Sequence, residues 1–309
     1  MNLNEESIRV ERIANHSILN RVHTVLLFGG MLLLLGLLGL SLAGFVGLLG
    51  AAVLALPLLL LGRRISSHWL MRIVGARRLV PSEVLSLYRT VQALSERADL
   101  PAVPELYYVP SRAMNAFSVG TREDPALGVT DGLLRNLSAR ELSGVLAHEI
   151  SHIRQNDVRV LSFADVIGRM TGLLSTVGQF LLFLNLPLLL MGRIAVPWLT
   201  VVLLLVAPVL SGLLRLALSR TREVDADLGA ARLAGDPLGL ASALRKMECY
   251  STSWVDRLFR PHHAPSGSLL RTHPDTEQRV QRLLELAGRQ REVASDDLDG
   301  LYACSDHLA

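Results

Sequence analysis

The stretch Ser138-Ala139-Arg140-Glu141-Leu142-Ser143-Gly144-Val145-Leu146-Ala147-His148-Glu149-Ile150-Ser151-His152 decides the reading of this chain. It ends in an H-E-x-x-H pentad and begins with a capping box, in which the Ser138 hydroxyl and the Glu141 carboxylate satisfy free amides at a helix start. Leu142, Val145, Leu146, Ile150 and Ile153 then recur at helical spacing and mark one buried side. On such a helix His148 and His152 project from one face, a turn apart. Two neutral imidazoles at that separation can grip one tetrahedral zinc ion, with Glu149 beside the attacking water. Nine of the 309 residues are histidine, so chance would place such a pentad in roughly one chain of this kind in a hundred. The capped helix favours a metal site over a solvated helix face.

A catalytic zinc uses three protein ligands and keeps a fourth position for water, so one ligand must come from a distant segment. Glu223, in Arg222-Glu223-Val224-Asp225-Ala226-Asp227, is the best candidate, on a helix continuing through Leu228 and Ala231. Asp227, one turn further, could accept the outer N–H of a ligand histidine and fix its tautomer. Spacing alone leaves Glu223 between a ligand and an ordinary charged face.

Half of the residues are hydrophobic and 19% are charged, an apolar balance for a soluble chain. The excess is local. Thr24 to Gly62 carries no charged residue; as one helix it would measure roughly 58 Å, about twice the ~30 Å hydrocarbon core. Two spans with a tight turn near Gly39 to Gly44 fit better. A second pair follows, Met170 to Gly192 and Ile194 to Leu214, separated by Arg193. Four transmembrane helices are expected. The first apolar run is too long for a signal peptide and leads straight into a second span. Gln179, Asn185, Pro187, Pro197 and Pro208 interrupt the second pair, and the polar ones are expected to bond to a neighbouring helix.

Arginine sets the orientation. Arg9, Arg12 and Arg21 precede the first pair, and Arg63, Arg64, Arg72, Arg77 and Arg78 follow it. Arg154, Arg159 and Arg169 precede the second pair, Arg215, Arg220 and Arg222 follow it, and only Arg193 marks the far side. The positive-inside rule puts both termini and the pentad in the cytoplasm. The net charge of +3 reflects this juxtamembrane arginine, with no basic run interleaved with aromatics for nucleic acid. Cys249 and Cys304 are too few for a disulfide framework, as suits a reducing compartment. The spans also bring Glu223 back: the pentad ends just before the third and Glu223 follows the fourth, on the same side.

The fold expected is a mainly α membrane protein: four transmembrane helices plus a cytoplasmic α+β zincin-like domain with a small β-sheet. The divisions are a cytoplasmic segment 1–23, a membrane hairpin 24–62, a first catalytic part 63–165, a second hairpin 170–218, a second catalytic part 219–290 and an acidic tail 291–309. Ser82 to Ala98 reads as an amphipathic helix; Glu105 to Val109, Asn115 to Val119 and Ala126 to Val129 read as strands, with the pentad helix beneath them. Residues 251 to 270 read as a mobile loop, and His262 and His263 within it as solvent-exposed.

Together these residues resemble the HtpX-type membrane zinc metalloproteases, gluzincins related to the eukaryotic CAAX prenyl endopeptidases. The resemblance covers residues 10 to 290 and rests on Asn115-Ala116-Phe117, the pentad within Glu141 to Asp157, Ser219 to Asp227, Thr272-His273-Pro274 and Arg279. It implies one Zn2+ per chain held by His148, His152 and Glu223, with Asp227 behind a ligand. It implies that Glu149 is the catalytic base and that His273 and Arg279 steady the tetrahedral intermediate. It also implies that Asn115, Ala116 and Phe117 lie on a sheet edge where a membrane-protein or peptide substrate binds in extended form. The enzyme implied works in the bacterial inner membrane, in quality control of damaged membrane proteins. Without the resemblance, His273 reads only as a residue ahead of a helix-starting proline.

Three rivals stand against this. A site-2-type intramembrane protease would bury the pentad in a span, whereas Arg140, Glu141, Arg154, Gln155 and Asp157 surround it here. A non-catalytic membrane adaptor with a structural zinc site would need a fourth protein ligand. A transporter would be expected to carry charge deep within its spans.

Overall fold

The long uncharged run folds into helix α1, Leu3–Leu61, and breaks at Ala43 (φ −141°, ψ 27°) and Gly44 (φ 59°, ψ −144°). Gly39 lies against Gly47 and Ala51, and Gly36 against Leu48. Residues eight apart in a straight helix are separated by about 12 Å, so the chain doubles back at this break. The approach is backbone to backbone: a Cβ on Gly47 would overlap the Gly39 carbonyl oxygen. Glycine at both positions is what closes the turn.

After α1 come α2 Ser67–Ile73, β1 Arg77–Arg78, α3 Leu85–Arg97, β2 Glu105–Val109, β3 Ala116–Gly120, β4 Pro125–Thr130, α4 Asp131–Asn136, α5 Ala139–Gln155, α6 Asp157–Leu184, α7 Leu186–Leu190, α8 Trp198–Ala234, α9 Pro237–Leu258 and α10 over 276–288. This computed structural model describes the backbone of residues 3–61, 66–193, 195–258 and 276–288, and the side chains of 22–53, 55–56, 66–193, 195–250 and 276–288. His273 with its neighbours Thr272 and Pro274, His262, His263 and the acidic tail lie outside the described residues.

Contacts divide the chain into two compact units, one from residues 1–64 and 159–221, the other from 65–158 and 222–309. In the first, apolarity is turned outwards: Leu33, Phe45, Val46, Phe180, Phe183, Leu199 and Val209 are all more than half exposed. Its interior is small, with Met31, Leu35, Ala51, Ala55, Ala164, Ile167, Met170 and Leu218 forming one cluster. Among the described residues, three helices are long and apolar enough to cross a membrane, Val22–Val53, Asp157–Leu184 and Trp198–Ala234. Four were expected; the first two expected spans lie within the one helix that doubles back. The third was expected to run to Gly192. It ends at Leu184 because Pro187 cannot donate within a continuing helix, and α7 starts afresh there.

The expected interhelical bonding holds for Gln179, whereas Asn185 Nδ2 donates to the Leu181 carbonyl four residues before it. Pro208 inside α8 has no N–H, so the carbonyl four residues back, on Leu204, loses its helical partner. Gln179 Nε2 of α6 donates to that carbonyl at 2.8 Å, and Ser175 Oγ donates to it as well. Leaving such a group unpaired in lipid would be costly.

The second unit holds a four-stranded mixed sheet in the order β1-β2-β4-β3. β2 and β4 run parallel, from Glu105 opposite Ala126 to Val109 opposite Thr130, and β3 is antiparallel to β4. β4 is buried along its whole length, whereas β3 pairs on one side only and is an edge. α5 packs against β3, α3 and α9. One core joins Leu87, Val91 and Leu94 of α3, Leu106 of β2, Leu127 and Val129 of β4, Val145, Leu146, Ile150 and Ile153 of α5, and Val280 and Leu283 of α10. The strand readings hold to within a residue at each end. The two-residue β1 and short α4 carried too few residues for a periodic signal. The loop expected from residue 251 is a correction: α9 continues to Leu258, since nothing in 251–258 breaks a helix and the first proline is Pro261.

Gln179→Leu is expected to lower stability in detergent by about 1 kcal/mol. In a Pro208→Ala background, where α8 regains its own N–H, the same change should cost clearly less. A thermal-denaturation double-mutant cycle measures the difference.

Candidate active site

Helix α5 carries the pentad, and its start is fixed as the sequence suggests. Ser138 Oγ accepts from the Glu141 amide, and Glu141 accepts from the Ser138 amide at 2.9 Å. Glu141 does more than cap. Its carboxylate accepts from Lys246 Nζ at 2.7 Å and from Ser242 Oγ at 2.6 Å, tying α5 to α9. Burial would raise its pKa, but these donors outweigh it and bring it down to about 2.

α5 ends at Asn156, which takes the left-handed conformation (φ 57°, ψ 27°). Asparagine tolerates this region better than most side chains. The break has a consequence for the site. In a straight helix, a residue five positions on points well away from His152; after the turn at Asn156, Asp157 Oδ2 lies 3.0 Å from His152 Nδ1. Asp157 is fully buried and is itself met by Arg222 Nη1 at 3.1 Å. The sequence reading gave Asp157 no role; its signal was the turn-prone Asn156 beside it.

The other histidine is held in the same manner from α8. Asp227 Oδ1 lies 3.0 Å from His148 Nδ1. With a carboxylate on each Nδ1, both rings turn Nε2 inward, and the two Nε2 atoms are 3.2 Å apart. Glu223, one turn before Asp227, closes the triangle: its oxygens are 3.4 Å from His148 Nε2 and 3.6 Å from His152 Nε2. A glycine permits this crossing. A Cβ on Gly229 of α8 would overlap Ser151 Oγ and come within 2.9 Å of Ser151 Cβ on α5.

His148, His152 and Glu223, all buried, are thus brought together as a possible metal-holding group. The donor set fits a divalent ion in three ways. A tetrahedral ion with bonds of about 2.0–2.1 Å has ligand-to-ligand edges of about 3.3 Å, close to the observed sides. Among the described residues, four buried carboxylates, Glu149, Asp157, Glu223 and Asp227, face two buried guanidiniums, Arg222 and Arg279, an excess of acidic groups that suits a divalent cation. Finally, burial alone pulls an imidazole pKa down, yet the hydrogen bonds of Asp157 and Glu223 and the charges of Glu223 and Glu149 push His152 up to about 10. His148 moves up too, burial being outweighed by Asp227 and Glu223. The surrounding carboxylates thus favour positive charge at both rings.

Around the triangle stand the other candidates. Glu149 Oε2 accepts from Ser118 Oγ of β3 at 3.0 Å, a contact the sequence reading did not foresee. Arg279 of α10 grips Asp227 with Nε at 2.8 Å and Nη2 at 2.7 Å, and its Nη1 is 3.3 Å from Glu223. Asn115 and Ala116 line one cleft together with His148, Glu149 and Arg279, floored by Val145, Leu240, Leu244 and Met247. Phe117 packs instead against the small core of Met71, Tyr107 and Ala126.

The site and the apolar helices define a membrane metalloprotease, and the chain belongs to peptidase family M48, whose profile matches residues 81–287. A protease HtpX homolog of Paraburkholderia phytofirmans is 33% identical over 287 residues, spanning 87% of this chain and 97% of its own length. The homolog of Burkholderia ambifaria is 32% identical over the same shares. Among solved structures, S. mikatae Ste24p aligns at TM-score 0.45 and 20% identity, over 88% of this chain and 66% of that one. The chain therefore spans just under two thirds of Ste24p.

Two measurements test the supports of the triangle. Gly229→Ala inserts a methyl where α8 crosses α5, at a cost of about 1–3 kcal/mol; metal affinity by competition with a chelator should fall about tenfold or more. Glu141→Ala should lower the stability of the metal-free protein by about 1–3 kcal/mol at neutral pH. A carboxylate with a depressed folded pKa stabilises above its unfolded value of 4.5 and ceases to as pH falls through the folded value. The deficit should therefore shrink between pH 4.5 and about 2, read by denaturation across that range.

Proposed function

We propose that this chain is a zinc-dependent endopeptidase that hydrolyses membrane-protein or peptide substrates at the cytoplasmic face of a bacterial inner membrane. The observation that carries the reading is the buried triangle of two imidazole nitrogens and one carboxylate, with Glu149 beside it. Within the described residues the metal-holding group has three members and no fourth, as a site that keeps a position for water requires.

His148 and His152 through Nε2, and Glu223 through its carboxylate, would hold the ion. Bound zinc supplies a Lewis acid that acidifies water and polarises the scissile carbonyl. Glu149 takes the proton of the attacking water and later gives it to the leaving amine. Ser118 keeps one Glu149 oxygen occupied, leaving the other for that proton. Asp157 and Asp227 hold the ligand rings in the tautomer that presents Nε2. Arg279, in the cleft and anchored by Asp227, donates to the carbonyl oxygen as negative charge develops there, an effect commonly worth about 3 kcal/mol per donor; His273 is assigned the same task by the family resemblance. The substrate lies extended along the free edge of β3, by Asn115, Ala116 and Phe117, where main-chain pairing holds a peptide with little demand on its sequence.

In this reading the doubled-back α1 supplies two spans over 24–62 and the second apolar hairpin, 170–218, two more. Residues 63–165 and 219–290 form the protease, and 1–23 and the tail 291–309 share its side. Arginine at the mouths of both hairpins supports the cytoplasmic orientation. Quality control of damaged membrane proteins is the role carried over from the HtpX type.

Glu149→Gln is expected to retain one zinc per chain by elemental analysis and to lose cleavage of a membrane-protein substrate in detergent. His148→Ala and Glu223→Ala should lose both metal and cleavage. Near-normal proteolysis by Glu149→Gln would overturn the assignment.

A further inference from the structure

Helix α2 is docked by one face and bare on the other. Ser67 gives both its amide and its hydroxyl to the Asp124 carboxylate, each at 3.0 Å. Met71, a turn later, is fully buried against Tyr107 and Ala126. At 3.6 residues per turn, Trp69, Arg72 and Ile73 fall together on the opposite face. Trp69 is 56% and Ile73 63% exposed, and Val74 just beyond is 48% exposed.

An exposed tryptophan, isoleucine and valine grouped at one short helix beside an arginine offer a surface on which a partner can lie. The composition selects the partner. Indole prefers the bilayer interface, where its ring meets carbonyls and acyl chains and its N–H meets water. An arginine on the same face lays its stem along apolar surface and reaches phosphate oxygens. The chain itself fixes where this face can be. α1 ends at Leu61 in the run Pro57-Leu58-Leu59-Leu60-Leu61, and α2 starts at Ser67. Six residue steps reach at most about 21 Å, and the two residues Arg63 and Arg64 lie within them. The bare face is therefore tethered next to the point where an apolar segment leaves the hydrocarbon.

We propose that α2 is a membrane-docking helix, lying in the headgroup layer with Trp69 and Ile73 inserted at the level of the lipid carbonyls and Arg72 paired with anionic phosphates. Asp124, which holds α2, sits in the turn joining β3 to β4, so the docked helix also mounts the edge strand. The proposal rests on α1 being a membrane segment and not on the catalytic assignments, so loss of proteolysis in an active-site variant leaves it untouched.

The test uses the full chain with Trp198→Phe and Trp254→Phe, so that Trp69 alone emits, in vesicles of phosphatidylcholine and phosphatidylglycerol. Blue-shifted emission that loses roughly half its intensity with lipids brominated near the top of the acyl chain, and resists aqueous iodide, is expected. Emission quenched by iodide but not by bromolipid overturns the proposal. Blue-shifted emission quenched by neither also overturns it, since a second copy or another protein then covers the face. Should the double variant not fold, hydrogen exchange of residues 67–73 in the unaltered chain reads the same contact. Exchange there should slow on adding phosphatidylglycerol to phosphatidylcholine vesicles, and unchanged exchange overturns the proposal.

Discussion

Two imidazoles and a carboxylate held within 3.6 Å of one another, away from water, are the constraint on which the protease unit depends. Burying so many polar groups is costly unless each has a partner and the charge closes. The chain meets this by nesting. Each of the two histidines leans on an aspartate, and each aspartate on an arginine: Asp157 on Arg222, Asp227 on Arg279. The four supports come from three segments, the start of α6, the C-terminal part of α8 and α10. Rigidity at the centre is thus obtained from pairs one step removed from the donors.

The apolar unit solves the opposite problem, where no water is at hand to satisfy a stray backbone group. Two of its irregularities are closed from within. The reversal at Ala43 and Gly44 is sealed by glycine against glycine, and the carbonyl freed by Pro208 is taken up by Gln179 and Ser175. Polar side chains there repair the backbone of a neighbouring helix.

How much of this could be read beforehand followed the range of the interaction. The capping box, the pentad helix and the strands depend on spacing within a dozen residues, and α5 and β2 to β4 stand where the pattern put them. Glu223 is different. The hairpin of apolar spans returned its segment to the pentad's side, but the sequence could not say how α8 crosses α5, because that depends on Gly229 fitting over Ser151. Spacing within 139–157 likewise concealed Asp157, since helical arithmetic turns it away from His152 until the single left-handed residue at 156 is counted. Ser118 was hidden by a third cause: which face of an edge strand meets Glu149 is decided by the register of β3 on β4.

The donors are widely separated in order of synthesis. The pentad is made before α6, Glu223 lies in α8 beyond its apolar stretch, and Arg279 follows in α10. A growing chain on the ribosome therefore carries the two histidines and Glu149 without Glu223 until the apolar part of α8 has been translated. The guanidinium that braces Asp227 arrives later still. The three-membered group of this layout cannot come together while the apolar segments are still being made.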